Sequence, residues 1–503
     1  MLKDIIYQIQ LGIKRGEGTR IESRSEGFLS DLLRSEINSA NDIKTNIKQS
    51  DAAKLLDHSL ISLFKIKETP TKSELGRGMF EAKKLLLAAE IFNYSLLKHA
   101  SNFAAERALK IGKKYFVLEV VFQANKIIYN NTRYFNNSKR RIVAYKEFEE
   151  YLEYYKIERA LDIGLIEILV REQKSPSRDE ETAKLCGDLL KKYEKYQNKI
   201  PSLLFHDALF SLQYYKAFHE KSIRKVYEVA RAKTTYFLNL DFNYMPGLIH
   251  GYSIQLVYLI QTKAYAKGEK LLSEAETILP QNTLGHFNFL SIVVKLKLYS
   301  GRYEEAISIV FKTLSHKKFD LMQPVFKRHW YLYEAYVNLL LETGHATYEG
   351  RRRRFSIQRF INDLPSFSKD KKAMNIPILV AQMLFFITRK QYNKAIDRIE
   401  SLGKYTSRYL RNDETFRSMC FIKMILEIPK WSFNQLRVER ATAKLHQRLM
   451  TSEMDLIYQP FEIEVIPYET LWEIIMDELR PDHNYTPKRS GYSRDQQRGM
   501  PLA

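Results

Sequence analysis

Apolar residues recur at three- and four-residue spacing along almost the whole chain. Leu55, Leu56, Leu60, Ile61, Leu63 and Phe64, between Ser50 and Lys65, mark one face of a helix. Phe116, Val120, Val121, Ala124, Ile127 and Ile128 mark another, as do Phe205, Leu209, Leu212 and Tyr215, and later Leu471, Ile474, Ile475 and Leu479. Polar turns separate these runs, which predicts helices of roughly 12 to 20 residues. Glu180 to Lys195 reads as one more. Ser175-Pro176-Ser177 announces it, because proline is tolerated in a first turn and excluded from a helix interior. Only Glu462 to Ile466 alternates at period two, ahead of Pro467, and reads as extended. The pattern predicts about 18 helices and no sheet, an all-α chain.

Many short helices raise the question of a repeat. Two helices of a hairpin cross closely only where one side chain is small, and an aromatic from the turn fills the gap beside it. The 34-residue tetratricopeptide (TPR) consensus has that form. A small residue precedes an aromatic at position 17, a small residue fills position 20, and proline often closes position 32. Three windows resemble it. In Ile249–Asn282 the positions are taken by Tyr265, Gly268, Leu272, Ala275 and Pro280. In Phe287–Asp320 the core is Gly301, Tyr303 and Ala306, followed by Val310. In Ile376–Tyr409 it is Tyr392 and Ala395, followed by Ile399 and Leu402. Position 8, usually small, holds Leu256, Val294 and Met383, and Tyr265 and Tyr303 lie 38 residues apart. A further helix pair fits Trp330–Glu342 and Phe355–Asp363, stretched by a charged loop.

Beyond the repeats stand the stretches Phe367-Ser-Lys-Asp-Lys371, Asn375-Ile-Pro-Ile378, Tyr405-Thr-Ser-Arg-Tyr-Leu-Arg411, Phe421-Ile-Lys-Met424 and Ile466-Pro-Tyr-Glu-Thr-Leu-Trp472. In these the chain resembles a group of bacterial TPR-like proteins of about 500 residues. The likeness runs from Asn46 to Leu479, strongest after Asp363, and implies a fold and no chemistry. The expected architecture is an α-solenoid of stacked antiparallel helical hairpins, a TPR-like right-handed superhelix. Residues 1–48 form a polar, partly helical cap, 49–248 irregular hairpins and 249–409 the repeats. Residues 410–480 form a C-terminal helical cap and 481–503 a disordered tail.

Composition narrows the chemistry. Gly (19) and Pro (14) are too few for a β-sandwich or barrel, and two cysteines, Cys186 and Cys420, exclude a disulfide framework. They suit a reducing compartment, and with no targeting segment visible the expected location is the cytoplasm. The longest apolar run, Ile376 to Ile387, holds Pro377 and Gln382 and falls short of the roughly 20 residues of a spanning helix, so no membrane insertion is expected. Gly12, Gly16 and Gly18 are spaced wrongly for a phosphate loop, and Gly76-Arg77-Gly78 lacks the rest of such a motif. No two histidines and no two cysteines meet metal-ligand spacing. Cys420 sits on an apolar helix face and reads as a buried thiol. His206-Asp207 reads as a cap, and Glu147, Glu149, Glu150 and Glu153 read as a solvated face. No catalytic residue, cofactor or metal is assigned, and an enzyme is not expected.

The formal charge of +21 is uneven. Between Arg302 and Arg448 stand 28 Lys or Arg against 14 Asp or Glu, whereas Leu449 to Ala503 holds 5 against 10. The candidate basic patch is Arg351, Arg352, Arg353 and Arg354 with Arg359, Lys369, Lys371 and Lys372. A solvated loop, an acidic protein surface and nucleic-acid phosphate all fit it. TPR geometry places a partner groove at positions 2, 5, 9 and 12 of each first helix. These are His250, Ser253, Val257 and Ile260, then Asn288, Ser291, Lys295 and Leu298. The expected function is a non-catalytic adaptor that binds a peptide or protein segment there. The alternative is a regulator docking on nucleic acid or another anionic assembly through residues 302–448.

Overall fold

The computed structural model describes residues 73–94, 98–134, 138–174, 180–352, 354–363, 375–409, 416–452 and 464–480. Every regular element in them is helical: eighteen α-helices and three short 3-10 turns, with no strand among the described residues. The helix expected at Ser50–Lys65, the N-terminal cap and the C-terminal tail lie outside them. Of the stretch expected to be extended, Glu464–Ile466 is described, and it bends into a helix start instead. Glu464, Val465 and Ile466 are all buried there, so the alternation does not separate an inner from an outer face. The Glu464 carboxylate accepts from the Tyr468 amide (3.0 Å), which ties the bend to the next helix.

The chain divides into two compact units. Residues 1–164, 193–208 and 240–244 make the first, with α1 (Glu74–Tyr94), α2 (Lys98–Lys114), α3 (Leu118–Asn131) and the first part of α4 (Ser138–Lys174). Its core is built on alanine: Ala82, Ala89, Ala105 and Ala108 are fully enclosed, so α1 and α2 approach closely. The Ser101 hydroxyl donates to the Ala89 carbonyl (2.8 Å) across that contact. Rings close α3 against α4, where Phe122 stacks on Tyr155 at 4.7 Å and Tyr129 on Phe148 at 5.1 Å. At 37 residues, α4 is far longer than the spacing predicts.

Residues 165–192, 209–239 and 245–503 make the second unit. It contains α5 (Glu180–Tyr193) up to Lys192, the end of α6 (Leu203–His219), α7 (Ile223–Leu238), α8 (Met245–Gln261), α9 (Tyr265–Ile278), α10 (Leu284–Tyr299) and α11 (Tyr303–Leu314). After these come α12 (Pro324–Glu342), α13 (Ile357–Asp363), α14 (Asn375–Thr388), α15 (Tyr392–Tyr409), α16 (Phe416–Lys430), α17 (Gln435–Thr451) and α18 (Tyr468–Glu478). From α7 on, consecutive helices pair, and α8, α10, α12 and α14 also touch one another in succession.

One turn recurs. Phe116, Lys221, Lys263, Gly301, Lys390 and the pair Ser432–Phe433 have positive φ between two helices. In each turn an amide reaches the carbonyl five residues back: Val117 to Gly112, Ser222 to Ala217, Ala264 to Leu259, Arg302 to Lys297, Gln391 to Phe386 and Phe433 to Ile428. This is the Schellman closure, which satisfies a carbonyl that the ending helix would leave open. Five residues after the left-handed one, a buried residue meets the neighbouring helix: Val121, Val226, Gly268, Ala306, Ala395 and Val438. A Cβ on Gly268 would stand 3.0 Å from Leu296 Cδ1. The three windows read from sequence are three of these six turns. Pro280 follows α9 on the surface. Leaving aside Asn282, which is left-handed between α9 and α10, the left-handed residues Lys221, Lys263, Gly301, Gly344, Lys390 and Phe433 lie 38 to 46 positions apart, longer than the 34 of the TPR period.

Ala306→Leu and Ala395→Leu each overpack a crossing and lower stability by about 1–3 kcal/mol. Gly301→Ala costs about 1 kcal/mol through its left-handed φ. Urea midpoints check these values, and unchanged midpoints in both leucine variants would remove the two residues from any close crossing.

Candidate functional site

The tyrosines that open the second helices of three hairpins share a neighbour, the segment 464–480. Burial pushes the Tyr303 phenol above its ordinary range, against the opposing effect of the Thr470 side chain of α18. Burial, and then the charges of Glu469 and Glu464, push the Tyr265 phenol above its ordinary range. Burial and Glu478 do the same to Tyr392. Tyr299, last in α10, donates its hydroxyl to the Glu464 carbonyl (2.7 Å). Lys390, the left-handed residue between α14 and α15, donates to the Glu478 carbonyl and stands 3.9 Å from its carboxylate. His345 Nε2 lies 3.7 Å from Asp477. The ends of successive hairpins therefore grip one amphipathic helix, whose Leu471, Trp472, Ile474 and Ile475 are buried.

A single guanidinium fixes that helix. Arg417 of α16 is buried and donates through Nη2 to Glu464 Oε1 (2.7 Å) and Glu469 Oε2 (2.6 Å), and through Nε to Glu464 Oε2 (3.1 Å). Its Nη1 reaches the carbonyls of Leu449 (3.1 Å) and Ser452 (3.2 Å). Burial disfavours the Arg417 charge, but the hydrogen bonds and charges of Glu464 and Glu469 outweigh it and raise the pKa well above the ordinary value. Beside it the Ser418 and Tyr468 hydroxyls meet at 2.9 Å, and Tyr468 stacks on Phe421 at 4.3 Å. Arg417→Met leaves two carboxylates without their cation and lowers stability by about 3–5 kcal/mol, whereas Arg417→Met with Glu464→Met recovers most of the loss. Denaturant titration of the pair checks this.

The groove positions are divided. His250, Ser253 and Val257 on α8, and Asn288 and Ser291 on α10, are half-buried. Ile260 (0 % exposed), Leu298 (1 %) and Lys295 (5 %) are enclosed and line no open surface. Val257 packs on the Ala217–Phe218–Val226 cluster. His250 Nδ1 is 3.0 Å from Lys233 Nζ, and burial and then the Lys233 charge lower its pKa to about 3. A histidine so depressed stays neutral in the fold while the unfolded chain takes up a proton below about 6.5. Its effect is absent above that pH and costs stability progressively down to about 3, reaching about 2 kcal/mol at pH 5. His250→Gln keeps an acceptor for Lys233 and flattens the pH 7.5-to-5 stability slope by that amount; equal slopes would count against a neutral His250.

Of the basic patch, Arg351, Arg352, Arg354 and Arg359 are exposed, and Arg352 donates to the Tyr348 carbonyl at 3.2 Å. Arg353, Lys369, Lys371 and Lys372 lie outside the residues whose side chains are described. Both cysteines are buried. Burial, with the Glu172 charge, pushes the Cys186 thiol up to about 12, and burial raises Cys420. Both shifts favour the protonated thiol near neutral pH. His206 is held between the Ser202 (2.7 Å) and Gln197 (3.0 Å) carbonyls. Gly78 lies within α1 against the Tyr115 ring. Among the described residues, no group of three His, Cys, Asp or Glu is placed to hold a metal ion, and no helix is long and apolar enough to cross a membrane. Compared with protein-family models, with curated proteins and with solved structures, the chain matches none.

Proposed function

We propose that the protein is a non-catalytic scaffold of the cytoplasm, an α-solenoid of TPR-like hairpins that engages a segment of another protein. The single observation that supports it most is α18 itself. Hairpin ends of this unit already hold an amphipathic helix: Arg417 pairs with its Glu469, Lys390 reaches its last carbonyl at Glu478, and Tyr299 holds the Glu464 carbonyl of the bend that leads into it. The succession of first helices α8, α10, α12 and α14 is the arrangement a solenoid requires. A partner segment would lie along the half-buried polar positions His250, Ser253, Asn288 and Ser291, whose side chains can meet its backbone groups with hydrogen bonds.

A second reading is favoured by the exposure of Arg351, Arg352, Arg354 and Arg359. It makes the protein a regulator that docks on nucleic acid or another anionic assembly. Affinity capture from native lysate, with and without nuclease, separates the two. Under the scaffold reading a protein partner survives nuclease, is lost with Asn288→Arg plus Ser291→Arg, and is retained when Arg351–Arg354 are all changed to Ser. Release by nuclease, together with loss in the serine variant and retention in the Asn288/Ser291 variant, replaces the scaffold with the regulator.

A further inference from the structure

The outer face of α17 carries charge that no carboxylate among the described residues neutralises. Arg437, Arg440, Lys444 and Arg448 follow one another at three and four residues, so they project from one side of the helix over about 16 Å. All four are exposed, while Val438, Thr442 and Leu449 on the other side are buried. Several other arginines do find acids: Arg140 pairs with Glu106, Arg224 with Glu228, and Arg389 with Glu342. On α17 none of the four cations pairs with an acid among the described residues, and Arg448 rests on the Phe416 ring at 5.1 Å instead. Glu439, the only acid of the helix, sits on the opposite flank. Large apolar side chains also stand in the open: Leu436, 61 % exposed, adjoins the stripe beside Arg440, and Trp431, 40 % exposed, lies in the turn before the helix, whereas Met450 lies further round, beside Glu439.

We propose that this face docks an acidic amphipathic helix of a partner protein. A helix with carboxylates three and four residues apart repeats its charge at the same 5.4 Å turn as the stripe. Its apolar edge would cover Leu436, which a nucleic-acid backbone would leave in water. Arginine and tryptophan are also residues enriched where protein interfaces are centred. The surface is separate from the half-buried positions of α8 and α10, and it stands or falls independently of a partner there.

The test uses the full chain and a labelled synthetic helical peptide with Glu along one stripe and Leu along the next. A scrambled peptide of equal composition, duplex DNA and phosphatidylserine vesicles complete the probes, all read by fluorescence anisotropy or sedimentation. The designed peptide binds at least about tenfold tighter than the scrambled one, because register as well as charge is matched. Changing Arg437, Arg440, Lys444 and Arg448 all to Gln weakens it about tenfold or more, and raised salt weakens it severalfold. Arg440→Gln with Lys444→Gln gives a smaller loss in the same direction and serves if the quadruple variant loses its thermal transition. Leu436→Ser weakens the designed peptide and leaves the scrambled one unchanged. Equal binding of the scrambled peptide, tighter binding of DNA or vesicles, or unchanged affinity in the Gln variants overturns the proposal.

Discussion

A helix that reverses within two or three residues must close its last carbonyls on the turn itself, and here it does so through one residue at positive φ. That residue sets the phase of the second helix. From Lys263, Gly301 and Lys390 the second helix begins two residues later with a tyrosine, and its first inward position comes three residues after that. The inward position meets the neighbouring helix at a crossing too close for bulk, which is why it holds Gly268, Ala306 and Ala395. Lysine at two of these turns, where glycine would be easiest, accepts strain of about 1 kcal/mol. Lys390 has a use for its side chain, since it reaches the end of α18.

The turns present tyrosines and backbone ends, and α18 fits among them. Its hold is partly apolar, through Trp472, Ile474 and Ile475, and partly ionic, through Arg417. Burying a guanidinium and two carboxylates gains little over a well-packed apolar cluster, because desolvation offsets most of the attraction. What the ions add is direction. A bidentate contact to Glu464, a third bond to Glu469 and two bonds to the end of α17 admit one register of the C-terminal helix. The hydrogen bond from the Tyr468 amide to Glu464 starts α18 at the same point.

The helical class is legible in the sequence because three- and four-residue spacing needs no tertiary knowledge. Three of the six turns are legible because a tyrosine marks them. The turns at Phe116, Lys221 and Ser432–Phe433 carry neither glycine nor an aromatic two residues on, and valine fills the crossing position, so nothing local distinguishes them. Repeat register alone puts Ile260, Leu298 and Lys295 on a groove, but α8 and α10 are covered on more than one side and enclose them. Arg417 and Glu464 lie 47 residues apart and meet only through the fold. The α17 stripe is present in the charge count for residues 302–448 and invisible there, because a sum along the chain does not record which side of a helix each charge faces.

Hydrogen exchange of α18 asks directly whether the hairpin ends act as a receptor for a helix and whether Arg417 sets its register. In the native chain the amides of 471–478 are expected to be protected as strongly as those of α10 and α14. In Arg417→Met, protection is expected to fall in α18 while α10 and α14 keep theirs. Rapid exchange of α18 in the native chain, or undiminished protection in the variant, would contradict the receptor role and the part given to Arg417.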